Sequence, residues 1–151
     1  MTAPPLVDSA DERIPPGFAR HFRRSRVTDP WEPLYSRTES GVLQLGLRLG
    51  EAHCNSRGFL HGGVVAALAD NAMGLSFVLT RRSGGESTET ASGAVTVSLT
   101  IDYVATARLG QWMQIEPRVV KAGRSMGFVD ALVTADGEVV ARASATFRLT
   151  A

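Results

Sequence analysis

The chain has 151 residues, 44% of them apolar and 21% charged, the size and balance of one globular domain whose core needs no disulfide or structural metal. Sixteen basic against fifteen acidic side chains leave a net charge of +1, so there is no electrostatic reason to expect nucleic acid or an anionic membrane as a partner. The single cysteine, Cys54, excludes an internal disulfide, and His21, His53 and His61 have neither zinc-finger nor HExxH spacing, so no metal site is expected.

The N-terminal stretch MTAPPLVDSADERIPPG has no apolar run behind a basic segment, which argues against a secretory signal. No stretch is expected to supply the roughly 18–20 apolar residues of a membrane span once charges are counted. The expected location is the cytoplasm. Residues 1–38 read as an N-terminal extension, irregular over residues 1–16, which hold four prolines, and then a short helix over 17–26, with Phe18 and Phe22 on one side. Arg20, Arg23, Arg24 and Arg26 could meet phosphates there. Asp8, Asp11, Glu12, Asp29 and Glu32 largely cancel them, and a solvated face is the plainer reading.

Residues 39–151 carry the folded pattern. In GVLQLGLRL, Leu43, Leu45, Leu47 and Leu49 alternate with Gln44, Gly46 and Arg48, the period of a half-buried strand. A long apolar helix follows from Gly62 to Thr80, then a polar, glycine-rich loop over 81–93. Four more strands are read downstream. AVTVSLTIDYV puts Val95, Val97, Leu99, Ile101 and Tyr103 on one face. WMQIEPRVV carries Pro117, a sign of an edge or a bulge. SMGFVDALVT is joined by a tight Asp136-Gly137 turn to VVARASATFRL, which aligns Val139, Ala141, Ala143, Ala145, Phe147 and Leu149. This order reads as α+β, an antiparallel sheet packed around one helix. The helix is small or apolar nearly all round, so one sheet leaves part of it bare and a homodimer is expected.

Two features of the helix have no packing reason. It opens on Gly62-Gly63 with no Ser, Thr, Asp or Asn before them, so its first N–H groups lack the usual side-chain cap. Bare amides at the positive end of a helix dipole suit a carbonyl oxygen that turns negative during reaction; a tight turn alone would also use two glycines. Asp70 is the only formal charge between Gly62 and Thr80. Desolvation would raise its pKa and make it a better base; a structural acid bonded to Asn71 or a loop amide is the alternative. Eight residues separate Gly62 from Asp70, about 12 Å along the axis, too far for one small carbonyl to touch both. Two antiparallel copies of the helix would instead bring Asp70 of one chain to Gly62 of the other. Asn55 and His61 could hydrogen-bond a substrate carbonyl or shape the turn. Cys54 beside His53 lacks a separate orienting residue for a Cys–His nucleophile.

The spacing Asn55-x-x-Gly58-x-Leu60-His61-Gly62-Gly63, followed by Asp70-Asn71, resembles the hotdog-fold acyl-CoA thioesterases, and within them the phenylacetic-acid-degradation (PaaI-type) group. The resemblance spans residues 41–149. It implies a sheet wrapped around the helix, a homodimer with shared active sites, often a dimer of dimers (a homotetramer), and hydrolysis of an acyl-CoA thioester to a carboxylic acid and coenzyme A. Coenzyme A is then part of the substrate rather than a cofactor. By position, Asp70 would be the nucleophile or general base, and the Gly62 amide of the other subunit would polarise the carbonyl. Asn55 and His61 would assist, Thr96 would position water, and Gly63, Gly123, Arg124 and Ser125 would lie along the substrate, Arg124 near a CoA phosphate. Arg81 and Arg82 are weaker candidates. Rival readings are a non-catalytic acyl-CoA-binding module and a hotdog-fold hydratase or dehydratase.

Overall fold

The computed structural model describes residues 14–84 and 93–150. Strands β1 (Ala19–Arg20), β2 (Tyr35–Glu39) and β3 (Val42–Arg48) precede helix α1 (Gly62–Ser83). Strands β4 (Gly93–Tyr103), β5 (Trp112–Ala122), β6 (Met126–Ala135) and β7 (Glu138–Thr150) follow it. All seven form one sheet in the order β1-β2-β3-β5-β6-β7-β4, with every pairing antiparallel. This is the α+β hotdog architecture, the sheet curling around α1.

Alternation and helical periodicity meet in the core. Leu43, Leu45 and Leu47 of β3 are fully buried, facing a stripe on α1 made by Val65, Leu68, Ala72, Met73 and Phe77. The Phe77 ring stacks on Phe147 with centroids 6.5 Å apart. A Cβ at Gly127 would fall 2.3 Å from that ring, so the β6 backbone runs directly against it. Ser76, also fully buried, accepts from Leu43 N–H at 3.0 Å and donates to Leu43 O at 3.3 Å, which pins β3 to the helix. By length and composition α1 could cross a membrane, contrary to the sequence expectation; its apolar stripe is instead the inner wall of this core.

Four expectations need correction. No helix forms over 17–26: Ala19 and Arg20 pair with β2, and His21 N–H donates to Leu34 O at 2.8 Å. Phe18 packs edge-on against Trp112 at 5.4 Å while Phe22 stays exposed, so tertiary contacts override a weak helical period. The sheet therefore extends into the segment read as an N-terminal extension; residues 1–13 lie outside the described residues. The loop expected over 81–93 loses both ends, to α1 and to Gly93 of β4, and residues 85–92 are not described.

The other two corrections come from β-bulges, which shift the side-chain phase by one residue. Between β6 and β7 the register slips at Val133/Thr134, so Val140 is buried and Val139 exposed. In β4 it slips between Thr96 and Ser98. Leu99 and Ile101 pack on the core, whereas Val95 and Val97 are half exposed. Pro117 fits both signs read from it: it lies just past Ile115, the last β5 residue paired to β3, and just before the Val119/Lys121 bulge. The Asp136-Gly137 turn has φ values of 47° and 85°, as a tight hairpin requires.

Candidate active site

The bulge in β4 builds the centre of the site. A regular strand with Leu99 and Ile101 inward would turn Thr96 away from the helix. The extra residue reverses the phase, and the Thr96 hydroxyl donates to Asp70 Oδ1 at 2.5 Å. Asp70 lies off the buried stripe of α1, on a second face with Asn71, Gly74 and Val78. These residues line a cavity of about 450 Å³ together with Thr96 and Phe147. Asp70 is half-buried in the single chain, held by one hydrogen bond and open to the cavity. Its expected structural partners, Asn71 and a loop amide, make no hydrogen bond with it.

The start of α1 is arranged differently from the uncapped helix expected. His61 is the cap residue, and its Nδ1 accepts from Gly63 N–H at 2.9 Å. This fixes the ring, leaves Nε2 outward, and removes the Gly63 amide from the groups open to a substrate. Gly62 N–H makes no hydrogen bond within the described residues, while its carbonyl accepts from Tyr103 Oη at 2.6 Å. A Cβ at Gly62 would sit 3.1 Å from the Tyr103 ring, so the glycine admits both the tyrosine and an approach to its amide. Tyr103 is a residue that sequence reasoning missed as part of this turn. Asn55 Oδ1 accepts from Arg57 N–H at 3.0 Å and from Phe59 N–H at 3.2 Å, so its carbonyl shapes the loop before the helix and only its amide NH₂ remains for a ligand.

The remaining candidates separate from this centre. Gly123, Arg124 and Ser125 form the β5–β6 turn, where Gly123 N–H donates to Met126 O and Ser125 O accepts from Leu149 N–H, both at 2.8 Å. None of the three lines the Asp70 cavity, although Thr150, next to Leu149, does. Arg81 and Arg82 stand in the last turn of α1, where cations favour the helix dipole. His53 has both ring nitrogens engaged, Nδ1 accepting from Gly50 N–H at 2.8 Å and Nε2 lying 2.9 Å from Trp31 O. Burial pushes the Cys54 thiol up, the opposite of an activated thiolate, and the His53 ring is committed to Gly50 and Trp31 and not to Cys54.

Sequence reasoning also missed the contribution of residues 21–25. His21 is buried against α1 with both ring nitrogens lacking hydrogen bonds of good geometry, as does Asn71 Oδ1. Burial lowers the His21 pKa below its ordinary 6.5, aided by Arg23 and opposed by Glu32 and Asn71. Below pH 6.5 the unfolded chain therefore takes up a proton that the folded ring resists. The stability that burial permits at higher pH is lost as pH falls toward the folded pKa. Chemical denaturation on either side of that pH should show this loss, and His21→Gln should show a shallower pH dependence.

With this geometry in place, the comparisons are direct. Residues 57–142 match the thioesterase superfamily model, and the chain belongs to that family: it is a thioester hydrolase of hotdog fold. The phenylacetic acid degradation protein PaaI from Thermus thermophilus shares the fold, with a TM-score of 0.64 at 22% identity, covering 76% of this chain and 91% of that one. A Pseudomonas aeruginosa protein described as an esterase is 35% identical over 137 residues, covering 90% of this chain and 97% of the relative. Human acyl-coenzyme A thioesterase 13 is 31% identical over 111 residues, 72% of this chain and 74% of the relative. A Streptococcus mutans protein solved with acetyl-CoA bound superposes with a TM-score of 0.69 at 28% identity, covering 86% of this chain and 94% of that one.

Proposed function

We propose that the protein hydrolyses an acyl-CoA thioester to a carboxylic acid and coenzyme A, at sites that two copies of the chain build together. The observation that carries this reading is the Asp70–Thr96 pair facing the cavity on the bare side of α1, in a chain of this family. The acyl-CoA thioesterase among its relatives and the acetyl-CoA-bound neighbour support the substrate class.

Asp70 takes a proton from water as the water oxygen attacks the thioester carbon. The carbonyl oxygen becomes negative and is held by the partner subunit's Gly62 through its N–H, assisted by its Asn55 and His61 through Nδ2 and Nε2. The C–S bond then breaks, and the thiolate leaves as the thiol with the proton Asp70 had taken. Direct attack by Asp70, with water then cleaving the anhydride, reaches the same products. Single-turnover hydrolysis in ¹⁸O-water tests the covalent route, since label appears in the Asp70 carboxylate when water cleaves the anhydride at the aspartyl carbon. All the groups required are side chains and backbone amides, and coenzyme A enters with the substrate.

Two observations favour the shared site. Asp70 and Gly62 of one chain are about 12 Å apart along α1. Strand β4 is an edge of the sheet with its far side unpaired, and Val95 and Val97 are 50% and 56% exposed along it, a surface that natural proteins cover. Pairing of β4 with β4 of a second copy covers it and sets the two helices antiparallel. Phe128 and Leu132 are also exposed, on the outer face of the sheet, and support a further pairing of dimers.

Thiol release from short, long and aromatic acyl-CoA esters tests the reading; hydrolysis of none returns Asp70 to a structural role and favours a binding module. Thr96→Val keeps the shape and removes the hydroxyl that holds Asp70. It should lower kcat roughly 10- to 100-fold, the scale of a hydrogen bond to a charged group, and Thr96→Ser should restore most of the rate.

A further inference from the structure

We propose that the acyl group this protein takes ends in a carboxylate, and that Arg23 is the residue that selects it. This rests on the thioesterase reading and names the substrate class within it. The acyl part of a thioester attacked at Asp70 must occupy the cavity beside that residue, and Arg23 and Ser25 line the same cavity. The cavity is poorly suited to a plain hydrocarbon chain. Its large apolar walls are only Leu75, Val78 and Phe147; the remainder is glycine, alanine, and hydroxyl, amide or charged side chains. An alkyl chain ending there would desolvate a guanidinium without pairing it.

Arg23, like Arg26, has no acid partner among the described residues, and of the two it is Arg23 that lines the cavity. Glu32 and Asp29 are engaged by the neighbours of Arg23, with Arg20 3.5 Å from Glu32 and Arg24 3.9 Å from Asp29 and 4.0 Å from Glu32. Arg23 forms no ion pair with any described residue. Asp70, the only acid among the described residues that line the cavity, is not within ion-pair distance of it and has Thr96 as its partner.

The segment presenting Arg23 is built in place. On one side His21 is buried against α1 beside Asn71 and tied by its N–H to Leu34 O. On the other, Ser25 closes a turn, its Oγ 3.1 Å from Thr28 Oγ1 and its carbonyl accepting from Asp29 N–H at 2.9 Å. An exposed arginine on a backbone fixed between two such anchors can meet a carboxylate through paired N–H donors. An uncharged acyl end gives it no partner. Discrimination against an analogue that leaves a polar group unpaired is large compared with that from one methylene.

The test compares kcat/KM for succinyl-, glutaryl- and adipyl-CoA with that for butanoyl- and hexanoyl-CoA, in the native protein, Arg23→Gln and Arg23→Lys. The native protein should prefer the carboxylated esters. Arg23→Gln should lower their kcat/KM by about tenfold or more, the scale of one lost charge-assisted contact, with less than about a twofold change for the uncharged esters. Arg23→Lys should recover part of the loss. A native preference for uncharged esters overturns the proposal alone. An equal fall for all esters in Arg23→Gln also overturns it, because Arg23 would then serve a CoA phosphate or the fold. If the native protein hydrolyses no ester, the thioesterase reading fails, and the proposal with it.

Discussion

Asp70→Asn is expected to lower kcat for thioester hydrolysis by about 10²–10⁴-fold, the range for loss of a positioned general base. The substitution changes little else. Asn retains an oxygen that can accept from the Thr96 hydroxyl, and Asp70 lies off the buried stripe of α1. Thermal midpoint and oligomeric state should therefore match the native protein, so the loss in rate reports chemistry and not folding. Thiol release measured beside a melting curve checks both. Unchanged turnover would mean that Asp70 is a structural acid and that another group activates water.

Gly62→Pro should have the next largest effect, about 10²–10³-fold on kcat, the scale of removing one donor to a developing oxyanion. Proline at the first position of a helix loses only an amide that has no intrahelical partner. The residue before it already has the extended backbone proline demands: His61 has φ −74° and ψ 131°. The added Cβ would lie 3.1 Å from the Tyr103 ring, a contact that Gly62→Ala would share while keeping its N–H. A large fall for proline with a small one for alanine assigns the effect to the donor. Equal falls would assign it to displacement of Tyr103. Mixing Gly62→Pro with Asp70→Asn then tests the shared site: heterodimers carry one intact site and should regain activity, whereas sites within single chains would not recover.

The strands and the helix were legible because each is a one-dimensional pattern. Leucines at every second position of β3 and a long, small-residue helix leave few alternatives. Gly62 and Asp70 stood out for a related reason, since each breaks the apolar pattern around it with no partner in the neighbouring sequence, although Gly62 proves to pack against Tyr103. The segment over 17–26 misled because two phenylalanines at helical spacing are a weak signal, and pairing with β2 and the Phe18–Trp112 contact outweigh it.

Other parts of the site are three-dimensional coincidences. Thr96 reaches Asp70 only because β4 bulges, and a bulge is set by pairing with β7, not by local composition. His61 became a cap because its Nδ1 can turn onto Gly63 N–H, a geometry not encoded in the usual list of cap residues. Arg23 reached the cavity through the folding of a distant segment onto α1.

By itself, then, the sequence determined the α+β class, five of the seven strands packed around one helix, and the two helix positions, Gly62 and Asp70, that stand out from the apolar pattern. Periodicity and the absence of a local packing role are properties of neighbouring residues. Only the tertiary structure decided which hydroxyl meets Asp70, which amide at the helix start remains open, and which arginine shares the cavity. Those relations depend on strand register and on contacts between segments far apart in the chain, for which no local spacing carries a signal.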